Sequence, residues 1–354
     1  MPIMKSSVLP LAAASLLAAL SFTACQPSAP QDPFARTQLL QADSIRIEQI
    51  LSPRTWTVAG DWAIVASLSQ DSVLYTYRLP DFEYLYSGLR AGGGPDELSN
   101  IYGSFLRSYP DGTFVLEDYG RRNMILHAAD KDFALLRTAS TRQKDARDGG
   151  PVPGDSVYAA VDYPPCEQGS APGRLLLQDF YGRTLDSAAC RSFVTTLTHE
   201  GERFSMGMNW PNFAYAGQTL ALVYYETGRV EFYDLSRGKL SLKKAVGDST
   251  PVEELMEADL TQRSFQGVKY DAIVSDGKYF YVLANDYRYT GPQPDPSNIR
   301  FTSCILVYSR QGTPLRKYAL DHPASDILAY RDVIYAYNRW KDFEQVYVYR
   351  PDEK

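Results

Sequence analysis

Histidine is scarce in this chain: three residues among 354, against 26 Tyr, 15 Phe and 4 Trp. With so few side chains that titrate near neutral pH, histidine-centred catalysis has little to build on. Cysteine is equally sparse, at four residues, and no Cys-x-x-Cys zinc spacing occurs. Also missing are a Gly-x-Ser-x-Gly elbow, a His-Glu-x-x-His pair and a Walker loop. These gaps remove the commonest linear routes to nucleophilic and zinc chemistry. A site assembled from scattered carboxylates would leave no linear motif and stays open. There is no basic surplus either. Lys and Arg number 36 against 42 Asp and Glu, a formal charge of -6 with both signs interspersed, so nothing points to a nucleic-acid partner.

What the chain does have is a repeating unit, cleanest over Gly217 to Leu240. Gly217-Gln218 turns, Thr219 to Tyr225 is apolar and rich in β-formers, Glu226-Thr227-Gly228 turns again, and Arg229 to Tyr233 alternates. Turn residues bracketing short β-branched and aromatic runs are the signature of an antiparallel meander. Related copies begin near Gly60, Asp111, Gly154, Asp276 and Arg331, spaced by roughly 45 to 65 residues, the range of propeller blades. Six copies predict an all-β fold, a six-bladed β-propeller.

The N-terminus reads differently. Lys5 precedes the apolar run Val8 to Phe22, which is short for a membrane span and has the pattern of an export signal. It ends in Ser21-Phe22-Thr23-Ala24-Cys25, which resembles the bacterial lipobox, where small residues precede a Cys that is acylated and becomes the new N-terminus. The expected organisation is a lipoprotein signal peptide over 1–24, a lipidated tether over 25–38 and the propeller over 39–354. The tether is rich in Pro, Gln, Ser and Ala and lacks periodicity. More than one acyl chain on Cys25 would anchor the protein firmly to a membrane. Gln26 follows the Cys, and resemblance to the sorting rule of enterobacterial lipoproteins then implies the outer membrane of a bacterial cell envelope.

Ser44 to Leu51 is a strand pattern with no hairpin partner nearby, and the sixth copy, ending in Val346 to Arg350, lacks its outer strand. A ring must close to remove exposed strand edges, so the early strand is expected to pair with Val346 to Arg350. After the first copy comes Gly92-Gly93-Gly94-Pro95-Asp96-Glu97. A "GxGPxE" segment in that place, behind a lipobox and an early strand, resembles the TolB-like six-bladed β-propeller lipoproteins. The resemblance covers Gln38 to Lys354 and implies architecture and anchoring, with no catalytic residue.

Three stretches depart from the regular pattern. Thr138 to Pro153 is polar and rich in Gly and Pro where the third blade needs an inner strand, which implies an irregular or three-stranded blade. Asp286 to Phe301 reads as a Pro-rich insertion in the fifth. Glu253 to Arg263 has a helical pattern with a packing role outside the ring. Cys166 and Cys190 fall on one face of the third blade in propeller topology, so an exported chain could join them as a disulfide. Cys304 lies in a strand pattern as an inert thiol. Gly154-Asp155-Ser156 resembles the nucleophile turn of GDS-type hydrolases, but Gly247-Asp248-Ser249 repeats it and no matched Asp-x-x-His follows.

In a propeller the innermost strand of each blade starts at the ligand-facing mouth. The repeats place Trp56, Ser104, Asn212, Asp271 and Asp326 there, and loops on the same face add Arg121, Arg122, Trp210, Tyr287, Arg288, Tyr289, Trp340 and Lys341. Aromatic planes beside charged donors make a recognition surface for a protein, peptide or glycan. The principal expectation is therefore a non-enzymatic binding module without a cofactor. The alternative is a hydrolase, lactonase or lyase that holds Ca²⁺ or another divalent cation on Asn212, Asp271 and Asp326.

Overall fold

The computed structural model describes residues 33–34, 36–49, 53–67, 72–94, 97–98, 106–108, 112–118, 123–128, 133–140, 146–151, 157–179, 183–199, 201–258, 267–289, 299–341 and 344–351. The expected signal peptide over 1–24, Cys25, Ser104, Arg121 and Arg122 lie outside them. Among the described residues there are six antiparallel meanders, numbered here as sheets 1 to 6 in chain order. Sheet 1 is Pro53–Ala59, Trp62–Ser67, Leu74–Arg78 and Glu83–Gly88. Sheet 2 is Leu106–Ser108, Thr113–Asp118, Asn123–Ala128 and Leu135–Ser140. Sheet 4 is Pro211–Ala216, Thr219–Tyr224, Arg229–Asp234 and Ser241–Val246. Each forms because an alternating or β-branched run is cut by a tight turn; Gly217 makes one such turn with φ of 60°, a conformation that suits glycine.

The first strand of each sheet touches the first strand of the next, and Asp326–Tyr330 of sheet 6 touches Pro53–Ala59 of sheet 1. Apolar clusters fill the gaps between neighbouring sheets: Leu74 with Phe114 between sheets 1 and 2, Val161 with Leu222 between 3 and 4, and Val223 with Phe280 between 4 and 5. Leu283 with Ile334 fills the gap between 5 and 6, and Trp56 with Tyr335 that between 6 and 1. The strands thus bury both faces against neighbouring sheets, which is why the middle strands read as nearly continuous apolar runs, Ala-Ile-Val-Ala in Trp62–Ser67 and Leu-Ala-Leu-Val in Thr219–Tyr224.

Sheet 6 is Asp326–Tyr330, Val333–Tyr337 and Gln345–Tyr349, and its outer strand comes from the other end of the chain. Asp43–Arg46 pairs antiparallel with it, Ser44 opposite Tyr347 and Ile45 opposite Val346. That is the pairing expected from the two unpartnered patterns. Sheet 5 holds a feature the pattern did not reveal. To Gly267–Ser275, Tyr279–Tyr289, Ile299–Ser309 and Pro314–Leu320 it adds a parallel outer strand, Thr37–Leu40, with Thr37 opposite Lys317 and Leu40 opposite Leu320. Strand structure therefore begins inside the stretch expected to be tether. The expected insertion at Asp286 to Phe301 is instead mostly strand at its two ends, which pair as far as Tyr289 opposite Ile299.

Sheet 3 corrects the expectation of an irregular blade. It has five strands: Ala146–Pro151, Val157–Asp162, Ser170–Asp179, Thr184–His199 and Glu202–Met208. The polar stretch Ala146–Pro151 does supply the inner strand, through pairing with Val157–Asp162. The long strand Thr184–His199 serves sheet 3 with its first half and a projecting hairpin with its second. The expected helix is shorter, Val252–Glu257, and packs Leu255 against Phe193 and Met208 of that hairpin. This length of strand also explains why the expected disulfide between Cys166 and Cys190 does not form. Cys190 sits in mid-strand, buried with Val161 and Leu175, and its Sγ donates to the Ser192 carbonyl at 3.6 Å. The Cys166 Sγ turns to its own loop, donating to the carbonyls of Gln168 and Gly169 at 3.4 and 3.5 Å, and both thiols are free.

The glycine segment after sheet 1 forms a short parallel ribbon, Arg90–Ala91 with Glu97–Leu98. The Glu97 carboxylate folds back to accept the Gly94 N–H at 2.7 Å, and any side chain on Gly92 would meet that carboxylate. Among the described residues no helix is long and apolar enough to cross a membrane.

Candidate functional site

Antiparallel order gives each sheet two ends. At the upper end lie the starts of the first strands and the loops between second and third strands; at the lower end lie the first-to-second and third-to-fourth turns. The upper ends of sheets 4, 5 and 6 gather a polar cluster around Asp271. Its carboxylate accepts from Asn285 Nδ2 at 2.7 Å and from the Tyr287 hydroxyl at 3.0 Å. Asn212, one sheet back, donates its Nδ2 to the Asp271 main-chain carbonyl at 3.0 Å, joining sheet 4 to sheet 5.

Burial dominates the electrostatics of Asp271 and pushes its carboxyl up to about 7. The two hydrogen bonds and the Arg339 guanidinium act against that rise, and the neighbouring Asp326 adds to it. Burial, followed by the charges of Asp271 and Glu226, holds the Tyr225 phenol well above its usual range. Tyr287 is raised by burial first and by Asp271 second. Both phenols are therefore neutral hydrogen-bond donors at physiological pH. Lys269 and Glu226 form a buried ion pair at 2.5 Å beside this cluster, with side chains 2% and 9% exposed. The ammonium also lies 5.8 Å from the Tyr225 ring, a cation–π distance.

Buried asparagines hold the surrounding loops. Asn209 donates to the Arg191 carbonyl at 2.9 Å and accepts from the Glu226 N–H at 3.2 Å. Asn338 donates to the Pro323 carbonyl at 3.1 Å and accepts from the Trp340 N–H at 3.0 Å. Asn285 makes a second donation, to the Ala324 carbonyl at 2.9 Å, and accepts from Ser303 Oγ at 2.6 Å. A side-chain amide supplies donor and acceptor together, so it can replace a missing strand partner inside a loop. What these loops present is aromatic: Trp210 is 45% exposed and Trp340 52%. The Arg339 guanidinium lies 5.3 Å from the Trp340 ring.

Of the residues expected at the mouth, Asn212, Asp271, Asp326, Trp210 and Trp340 all belong to these upper ends. Tyr289 ends a strand there, opposite Ile299. Trp56 is placed differently: it is 6% exposed and packs edge-on against Tyr337 at 4.7 Å, between sheets 6 and 1. It also borders an open cavity of about 120 Å³ that Thr57, Ser108, Tyr215, Ser275 and Leu328 line from the first strands of sheets 1, 2, 4, 5 and 6. Sequence reasoning missed Tyr225, Glu226, Lys269, Asn285 and Arg339. The one signal for Lys269 was a charged residue leading into an apolar strand run. Asn212, Asp271 and Asp326 do not form a cation cage. Asp271 Oδ2 accepts from two donors and Asn212 Nδ2 donates to a carbonyl, and among the described residues no three His, Cys, Asp or Glu side chains stand in metal-holding range.

No protein-family profile and no curated protein matches the chain. Solved structures do. A DUF4221 family member from Bacteroides vulgatus aligns with a TM-score of 0.51 at 10% identity, covering 88% of this chain and 98% of its own. A Bacteroides fragilis protein described as exported aligns with a TM-score of 0.54 at 10% identity, covering 89% and 96%. The β-propeller domain of a Myceliophteria thermophila protein aligns at 0.47 with 12% identity, covering 88% and 100%. At such identities the likeness concerns the fold alone; the successive meanders, whose first strands touch in turn from sheet 1 to sheet 6 and back to sheet 1, are the arrangement of a β-propeller.

Proposed function

We propose that the chain is a lipid-anchored, closed six-bladed propeller of the bacterial cell envelope, of TolB-like kind, that binds a protein, peptide or glycan on its upper face without catalysing a reaction. The observation that carries the reading is the pair of exposed tryptophans, Trp210 and Trp340, on loops at the upper ends of sheets 4 and 6 that Asn209 and Asn338 pin, at the same ends as the polar cluster of Asp271. Exposed tryptophans on rigid loops lose little conformational freedom on binding and contribute large contact areas. Closure is supported by the pairing of Asp43–Arg46 with sheet 6 and the contact of sheet 6 with sheet 1. The anchor rests on Cys25 and its flanking residues, and the outer membrane on Gln26.

Arrays of envelope peptides and glycans, probed with the purified protein and with the double variant Trp210→Ala/Trp340→Ala, test the binding role. Loss of two aromatic anchors is expected to weaken capture by at least about 30-fold, the factor for a single hot spot. Capture that survives the double substitution unchanged defeats the assignment of this face. The anchor is tested apart from it: Cys25→Ser should abolish fatty-acid labelling of the protein. The metal-dependent hydrolytic reading predicts a rise in melting temperature with Ca²⁺, Mn²⁺ or Zn²⁺; the ligand geometry around Asp271 predicts none.

A further inference from the structure

The N-terminal segment does more than complete sheet 6. Phe34 is buried with its ring 5.4 Å from Tyr308, in the apolar cluster of Phe232 and Phe280 between sheets 4 and 5. Tyr308 and Phe280 pair beside the turns at Asp276–Lys278 and Arg310–Thr313, so Phe34 docks at the lower ends. From there Thr37–Leu40 climbs sheet 5 toward Leu320, Asp43–Arg46 joins sheet 6, and Ile47 is buried between sheets 6 and 1. The strap thus starts, at Phe34, from the rim opposite to Asp271, Trp210 and Trp340.

That lower rim has its own chemistry. The turns of sheets 4, 5 and 6 carry Arg237, Lys239, Lys278, Arg310 and Arg331, and the strand Pro314–Leu320 adds Arg316, against Asp234, Asp276, Asp332 and the Asp61 of sheet 1 that pairs with Arg331 at 2.9 Å, a local excess of cations on a chain whose formal charge is -6. Asp276 and Asp234 are already engaged: Asp276 accepts from the Tyr281 hydroxyl at 2.8 Å and from two N–H groups of its own turn, and Asp234 pairs with Lys243 at 3.5 Å. Lys278, Arg316 and Asp332 border one shallow cavity with Tyr279, Tyr281 and Leu315. Leu242 and Leu315, on the outer strands of the same sheets, are 49% and 42% exposed. Basic side chains interspersed with exposed leucines fit an anionic lipid surface: the cations meet headgroup phosphates, and the apolar groups enter the boundary beneath them.

We propose that the lower rim of sheets 4 to 6 lies against anionic membrane lipid, so that the Asp271 face points away from the bilayer toward its ligand. This rests on the anchored-propeller reading for its setting, but the rim is testable without the anchor. The soluble chain from Gln26, which keeps every described residue, is mixed with vesicles of zwitterionic lipid alone or with about one third anionic lipid, and sedimentation gives the partition coefficient. Binding should require the anionic lipid and fall with added salt. Lys278→Gln/Arg316→Gln should weaken it about 25-fold, since each cation near such a surface contributes about a factor of five. Arg203→Gln/Arg300→Gln removes as much charge from exposed positions elsewhere and should leave it unchanged, with circular dichroism verifying the fold of both. No partition onto anionic vesicles, equal partition onto both lipids, or an equal loss in the two double variants overturns the proposal. If the soluble chain binds anionic vesicles but fatty-acid labelling survives Cys25→Ser, the anchor reading falls and the rim stands.

Discussion

Substituting Asp271→Asn gives the most direct test of the electrostatics at the upper face. Burial raises this carboxyl from 3.8 to about 7 in the folded chain. Between those values the folded protein holds a proton that the unfolded chain has released, so the group's effect is stability that is complete below the unfolded value and lost as pH rises toward 7. A displacement of about three pH units corresponds to about 4 kcal/mol lost by pH 8. The asparagine never ionises and escapes that loss. It gives up part of the hydrogen bonding to Asn285 and Tyr287, worth about 1 kcal/mol. The variant should therefore be about 1 kcal/mol less stable than the parent near pH 4, equal to it near pH 5, and about 3 kcal/mol more stable at pH 8. Urea unfolding of both proteins at half-unit pH steps measures the difference. A difference that stays constant from pH 4 to pH 8 would refute the reasoning, because it would mean Asp271 titrates alike in the folded and unfolded chains.

Other interactions give equally definite expectations. Glu231 is buried between sheets 3 and 4, where it accepts from Arg229 Nε at 2.7 Å and from the hydroxyls of Tyr224 and Tyr233 at 3.1 and 2.9 Å. Glu231→Ala strands the Arg229 charge and should cost about 3 to 5 kcal/mol in chemical denaturation; a loss under 1 kcal/mol would show the network to be dispensable. Phe34→Ala empties the slot between sheets 4 and 5 and should cost about 3 to 5 kcal/mol, with faster amide exchange in Thr37–Leu40 as the local sign that the strap has loosened. Ile45→Pro removes a ladder N–H from the strand that completes sheet 6, and should lower the melting temperature without changing the binding surface. Arg46→Ala breaks only the exposed pair with Glu344 at 3.5 Å and should change stability by less than about 1 kcal/mol.

The turns and the short apolar runs were legible because each is a local signal. Gly217-Gln218 and Gly60-Asp61 mark hairpins whatever surrounds them, and all four strands of sheet 1 fall where the pattern puts them. The outer strand of sheet 6 was legible for a different reason: two unpaired patterns, one at each end of the chain, had to be matched. Thr37–Leu40 escaped because three of its four residues are exposed and its parallel register is set by a partner far along the chain. Ala146–Pro151 escaped because a strand enclosed by neighbours can tolerate Gly and Pro that would disqualify it in isolation. The projecting hairpin was in principle readable, from the β-branched and apolar run at Phe193 to Leu197 and the glycine at Gly201. At the upper face, Asn212 and Asp271 were found by position in the repeat. Asn285 and Arg339 were missed because they act through contacts between sheets, and no repeat alignment encodes which neighbour a loop leans on.

The strap over Phe34 to Ile47 bears on how such a chain is made. Its partners lie near the opposite terminus: Asp43 faces Val348, and Thr37 faces Lys317. A ribosome delivers the strap first and its docking strands last, so the early segment has nothing to pair with until synthesis is almost complete. Contacts that distant are slow to form and leave sticky edges uncovered meanwhile. The step that locks the molecule shut therefore awaits the strands Pro314–Leu320 and Gln345–Tyr349, and until they arrive the strap is an uncovered edge.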